Sequence, residues 1–229
     1  MRLQQRSLDI GGLHSIVIAP DQPNGLLVVI LHGYSMTAGD LAPFASSLSV
    51  AATYLFPEGF LPAQPSGRAW FPMDIAARRA AQGAPRDLAE RTPEGLAYAR
   101  ERLSAYLQAC LRHFAPRRVV LGGFSQGGML CCDLLLNSEV NVHGLLLWSA
   151  SRLNYREWLQ RAGRLQGLPV LISHGEHDPE LAFTAGLALR DFVADAGATV
   201  TWVPFAGGHE IPLVVWRSVR SFLRVVTQQ

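Results

Sequence analysis

Short apolar runs alternate along this chain with longer stretches of helical spacing, and that alternation restricts the fold more than any other feature. Residues 26–33 (LLVVILHG), 53–58 (TYLFPE), 118–124 (RVVLGGF), 144–150 (GLLLWSA), 169–175 (PVLISHG) and 199–205 (TVTWVPF) each have the length and continuous apolarity of a buried strand. Between them, residues 93–114 set Leu96, Ala99, Leu103, Leu107, Cys110 and Phe114 at steps of three and four, which predicts an amphipathic helix. Thr92 and Pro93 suit its cap and first turn. A last helix over 210–226 would bury Val215, Val219, Phe222 and Val226 and turn Arg217, Arg220 and Arg224 to solvent. Strands alternating with helices imply an α/β domain with a mostly parallel sheet and helices on both faces. An edge strand is expected over 14–19 (HSIVIA). With 229 residues, 49% of them apolar, the chain can bury a large core as a single domain over 1–229.

One stretch breaks the rhythm. From Pro57 to Arg91, prolines and glycines recur too often for a long helix, and Phe60, Leu61, Trp70, Phe71 and Met73 sit among them. A loop of that length in a compact domain is uncommon and reads as a lid or binding loop; the plainer alternative is a loop that its aromatics staple to the core.

Composition narrows the function classes. The cationic and acidic residues, 20 and 18, are scattered, and without a basic run nucleic acid is not an expected partner. No apolar run approaches the roughly 18 residues a membrane helix needs. The N-terminal residues show no apolar signal region, so a cytoplasmic location is expected. Cys110, Cys131 and Cys132 lack metal or redox spacing and read as buried, reduced and structural. His174, His177 and Asp178 cluster, but their spacing matches no metal motif, and neither metal nor cofactor is expected.

The run 121–129 (LGGFSQGGM) places Ser125 directly after a predicted strand and ahead of an apolar helix. A serine on such a turn is a nucleophile elbow, crowded enough to favour Gly123 and Gly127, with a helix N-terminus beneath it that favours negative charge. Serine needs a base, and the base needs an orienting carboxylate. On this architecture the order should be Ser, then Asp or Glu, then His. Asp178 follows the strand 169–175 and His209 follows the strand 199–205, each in the loop at a strand's carboxyl end. His177 is the competing base, awkwardly adjacent to Asp178, and the rival acids Asp191 and Asp195 fall within a predicted helix and read as solvated. Two backbone N–H groups should hold the oxyanion: that of Gln126, next after the nucleophile, and that of Tyr34, in the loop that turns at His32-Gly33.

The segments LHGYSMTAGDLAPFA, GRAWFPMD, GGFSQGGM, HGEHDP and GGHEIP together resemble the phospholipase/carboxylesterase family of α/β-hydrolases, from about residue 25 to the C-terminus. The resemblance implies a metal-independent hydrolase with Ser125, Asp178 and His209 as its triad, and a flexible loop around residues 60–75 covering an apolar acyl channel. Ser35, Met36, Trp70, Phe71 and Met73 are the expected pocket residues. Where relatives carry Leu-Gly after the His-Gly of the oxyanion loop this chain has Tyr34-Ser35, and where they read Val-Val-Pro after HDP it reads ELAF. The function expected is a carboxylesterase acting on small-molecule esters of apolar acyl chains through an acyl-enzyme. Acyl thioesterase and lysophospholipase share the same triad, and a non-catalytic hydrolase-fold binding module is the alternative of another class. A homodimer built partly on apolar residues of the 57–91 loop is the further partner considered.

Overall fold

A computed structural model of the chain describes residues 2–228. In order the elements are β1 (Leu3–Ile10), β2 (Leu13–Pro20), β3 (Leu26–Leu31), α1 (Ala38–Leu41), α2 (Ala45–Leu48), β4 (Thr53–Pro57), β5 (Leu61–Pro62), β6 (Arg68–Ala69) and α3 (Ile75–Ala80). There follow α4 (Leu96–Phe114), β7 (Arg118–Phe124), α5 (Gln126–Asn137), β8 (Gly144–Trp148), α6 (Tyr155–Gln160), β9 (Pro169–Gly175), α7 (Phe183–Asp195), β10 (Thr199–Phe205) and α8 (Leu213–Gln228).

Eight strands form one sheet in the order β1-β2-β4-β3-β7-β8-β9-β10. From β4 to β10 every pairing is parallel, while β1–β2 and β2–β4 are antiparallel. This is the α/β-hydrolase fold, and its central strands are covered on both faces. In β3, Leu27, Val29 and Leu31 enter one core with α4 to α7, while Leu26, Val28 and Ile30 enter the other with α1, α2 and α8. Burial on both faces is why these strands read as unbroken apolar runs instead of alternating ones.

Several expectations need correction. Strand β2 is not an edge: β1 pairs with it from Leu3↔Pro20 to Ile10↔Leu13 and forms the true edge. Most of β1 (LQQRSLDI) is exposed, so it carries no apolar run to announce it. Helix α4 begins at Leu96 instead of residue 93, because Pro93 O accepts the Leu96 N–H in a turn and Gly95, with φ +74°, occupies the cap. Among the described residues, neither Thr92 nor any other side chain caps it. Helix α8 starts after Pro212, whose carbonyl accepts the Val215 N–H, and runs to Gln228. Arg217 and Arg224 are exposed as expected, but Arg220 is half-buried and donates to the Ser47 carbonyl at the end of α2.

The 57–91 stretch is not free of regular structure. It contains the β5–β6 ribbon and the six-residue α3, which Asp74 caps through the Ala77 N–H. The three cysteines are free and buried, and burial raises each thiol above its ordinary value, Cys110 to about 11. Beneath the helices, buried Asp133 accepts from Trp158 Nε1 at 2.9 Å, Asn137 Nδ2 at 3.1 Å and Arg100 Nη1 at 3.1 Å. That carboxylate joins α4, α5 and α6. Among the described residues, no helix is long and apolar enough to cross a membrane.

Candidate active site

Strand β7 ends at Phe124, and the chain reverses into α5 through Ser125, whose φ of 51° and ψ of −116° are strained for a residue with a side chain. Such a conformation costs on the order of 1–3 kcal/mol and persists where its surroundings enforce it. Here the Ser125 N–H donates to Trp148 O at 2.8 Å and Ser125 O accepts from Met129 N at 3.0 Å. The glycines make the turn sterically possible. A Cβ on Gly123 would lie 2.5 Å from the Gly127 carbonyl carbon, and one on Gly127 would lie 2.6 Å from both Leu31 O and His32 O. The spacing of GFSQGG therefore reflects direct backbone contact between β7, α5 and the end of β3.

Two loops meet at the other side of the elbow. A Cβ on Gly175 would lie 2.2 Å from Gly208 O, so the loop after β9 rests on the loop after β10. The N–H groups of Glu176 and His177 donate to Phe205 O and Gly207 O, both at 2.9 Å. This contact sets His209 Nδ1 2.6 Å from Asp178 Oδ2, with the carboxylate buried and the imidazole partly open to the cleft. Asp178 Oδ1 accepts from the N–H groups of Glu180 at 2.8 Å and Leu181 at 2.9 Å. Burial pushes the Asp178 carboxyl up, but the His209 hydrogen bond and charge and those two N–H groups outweigh it and hold the group below the usual carboxylate range. An ionised carboxylate only accepts, so His209 Nδ1 carries the proton and Nε2 is left available. The ring lies against Phe124, centroids 4.7 Å apart, and lines the same cleft as Ser125. Among the described residues, no hydrogen bond joins Ser125 Oγ to the imidazole; His177, the competing base, is exposed.

The two expected oxyanion donors stand free. Gln126 N–H opens α5, and neither it nor Tyr34 N–H has a hydrogen-bond partner among the described residues. His32 orients the second. Its Nε2 accepts from Gly59 N–H at 2.9 Å, so Nδ1–H donates to Gly33 O at 2.7 Å. With that carbonyl held, and the Met36 N–H also donating to it at 3.3 Å, the trans peptide turns the Tyr34 N–H the opposite way.

The cleft has a volume of about 1150 Å³. Of the residues read from the sequence as pocket residues, Ser35, Phe71 and Met73 line it, and Met36 and Trp70 do not. Trp70 is fully buried, its Nε1 donating to His32 O at 2.9 Å, and Met36 pairs with Arg68 and packs against the core. Trp70 instead works through Gln126, whose Oε1 accepts the Trp70 N–H at 2.9 Å while Nε2 donates to Phe71 O at 2.8 Å. This clamp fixes the 57–91 segment to the nucleophile turn. Further out, Arg78 on α3 and Arg86 both pair with Glu180, the latter at 3.3 Å. The roles of His32, the Gln126 side chain and Glu180 escape sequence reasoning, because each depends on a contact far away in the chain: Gly59 for His32, Trp70 and Phe71 for Gln126, Arg78 and Arg86 for Glu180. Among the described residues, no group of three His, Cys, Asp or Glu side chains is placed to hold a metal ion.

The family model described as Phospholipase/Carboxylesterase matches residues 13–227. Acyl-protein thioesterase 1 of Gibberella zeae is 31% identical over 113 residues, 48% of each chain. The probable carboxylesterase SOBER1-like of Arabidopsis thaliana is 31% identical over 111 residues, 48% of this chain and 42% of that one. The chain thus spans about half the length of the curated relatives it matches. A carboxylesterase structure from Mesorhizobium loti superposes with a TM-score of 0.78 at 19% identity, covering 96% of this chain and 98% of that one. Esterase PE8 does so with a TM-score of 0.77 at 20% identity, covering 99% and 100%. At such identities the likeness shows the fold.

Proposed function

Because the chain belongs to the phospholipase/carboxylesterase family, we propose that it is a serine hydrolase cleaving carboxylic esters of apolar acyl chains through an acyl-enzyme. The observation that carries this reading is the 2.6 Å hydrogen bond from His209 to the buried Asp178, at the cleft where Ser125 occupies a strained turn. Ser125 Oγ attacks the ester carbonyl while His209 Nε2 takes its proton. Asp178 keeps Nδ1 protonated and stabilises the imidazolium that forms. The N–H groups of Gln126 and Tyr34 receive the oxyanion, assisted by the N-terminal dipole of α5. His209 then protonates the departing alkoxide, and water repeats the sequence to release the acid. The acyl chain has Phe71, Met73, Met129 and Leu181 to lie against along the apolar side of the cleft.

Thioester hydrolysis is the second reading, favoured by the acyl-protein thioesterase among the relatives. Its chemistry uses the same groups and differs only in the leaving thiolate. The test is hydrolysis of p-nitrophenyl esters from acetate to palmitate, and of matching acyl thioesters, by wild type and Ser125→Ala, with intact mass after a fluorophosphonate. Turnover that falls roughly 10⁴–10⁶-fold in the alanine variant, with loss of the adduct, supports Ser125 as nucleophile. A wild type that neither turns over nor takes up the label leaves the binding module as the better account.

A further inference from the structure

His174 lies near the end of β9, fully buried, and no step of the chemistry above uses it. Its Nε2 is 3.0 Å from Leu181 O and 3.4 Å from Asp178 Oδ2. A carbonyl only accepts, so Nε2 carries the proton and donates it to Leu181 O, with Asp178 Oδ2 lying close beside that bond. Nδ1, on the far side, has no hydrogen-bond partner among the described residues. Burial lowers the imidazole below its ordinary value and keeps it neutral.

Holding this ring in place is costly twice over. A buried nitrogen without a partner is destabilising, and a leucine in its place would carry no such atom. Gly186 sits within α7, where a glycine loses stability relative to alanine. Yet a Cβ there would come 2.4 Å from His174 Nδ1, so the helix gives up a side chain to make room for the ring. Both costs have one return, an N–H that holds Leu181 O at 3.0 Å beside the oxygen of Asp178 that receives His209. The N–H of that same Leu181 donates to Asp178 Oδ1, so the ring braces the turn that holds the carboxylate.

We infer that His174 is a positioning residue for the hydrolytic site, holding through its Nε2–H the Leu181 turn that binds Asp178 and so keeping Asp178 Oδ2 directed at His209. The inference rests on the hydrolase reading, and it concerns a contact that can be observed without substrate.

The test compares His174→Gln, whose amide nitrogen can occupy the place of Nε2, with His174→Met, which has similar length and no donor. For each full-length variant, kcat and KM on a p-nitrophenyl ester are measured, together with the downfield proton resonance of the His209 Nδ1–H, assigned by its loss in His209→Gln. His174→Met is expected to lower kcat roughly ten- to a hundredfold at unchanged KM and His174→Gln to stay within about threefold of wild type, the scale of a buried acceptor left without its donor. The resonance should move upfield in the methionine variant and stay in the glutamine one. Equal losses in both variants, or a resonance unmoved in His174→Met, would overturn the assignment. If the methionine variant does not fold, Gly186→Ala, which presses on Nδ1, must shift the same resonance or the assignment fails. Should wild type not turn over the ester, the hydrolase reading fails, and the resonance alone still decides the role of His174.

Discussion

Each residue of the GFSQGG turn is fixed by a different requirement. Ser125 accepts backbone strain, and Gly123 and Gly127 supply the room that strain demands. Gly127→Ala tests the second requirement, since its new Cβ would meet two backbone carbonyls that no side-chain rotation can move. We expect a loss of about 1–3 kcal/mol in stability, typical of an overpacked core. Turnover should fall as well, because the displaced carbonyls of Leu31 and His32 lead directly into the loop that presents Tyr34. Gly163→Ala is the internal control: nothing lies within 4 Å of its Cβ position, and its stability should stay within about 0.5 kcal/mol of wild type. Denaturant midpoints for both variants decide the matter, and a Gly127→Ala protein as stable as Gly163→Ala would contradict the crowding argument.

At the scale of elements, single polar side chains decide which helices and loops stay together. The Gln126 amide binds the 57–91 segment at Trp70 and Phe71, and the pairing of Arg78 and Arg86 with Glu180 draws the outer part of that segment to the turn carrying Asp178. Helix α3 buries none of its own residues, so its attachment depends on these polar contacts and on its flanks. Asp133 is the corresponding junction in the core. Burial pushes its carboxyl up, against the opposing pull of Trp158 and Arg100. Asp133→Ala strands the Trp158 N–H and the Arg100 charge together, and should cost about 3–5 kcal/mol, as for the loss of one partner of a buried pair. Arg100→Ala should cost less, because Asp133 keeps its Trp158 and Asn137 donors and, with its carboxyl already raised by burial, can take up a proton once the cation is gone. Chemical denaturation of both variants checks the ranking, and equal losses would mean that Asp133 is not the centre of the junction.

For the whole molecule, the sequence announced what depends on burial and chain order, and concealed what depends on contacts between distant segments. Strands β3, β4 and β7 to β10 were legible because two covered faces leave unbroken apolar runs, whereas β1 was hidden by its exposed edge position and the β5–β6 ribbon by its prolines and glycines. The order Ser125, Asp178, His209 could be read from placement after strands. The Gln126 clamp and the His174 brace could not, since the first spans 56 positions and the second depends on a glycine in α7. The stability of the whole fold should register the Asp178 site through pH. A carboxyl whose folded value lies below its unfolded one, about 3.9, adds stability that is fully present above the unfolded value and is lost as pH falls through the folded value. Asp133, raised in the fold, has the opposite sign, so its stability contribution diminishes as pH rises through the acid range. Wild type alone mixes the two effects; its difference from Asp178→Asn isolates one. That difference, taken from urea midpoints between neutral pH and about pH 3, should be constant above about pH 5 and shrink below about pH 4 as the wild-type carboxylate takes up its proton. A difference that stays the same down to the acid limit would mean that the Asp178 carboxylate contributes nothing by its charge, and that its part in the fold is purely one of shape.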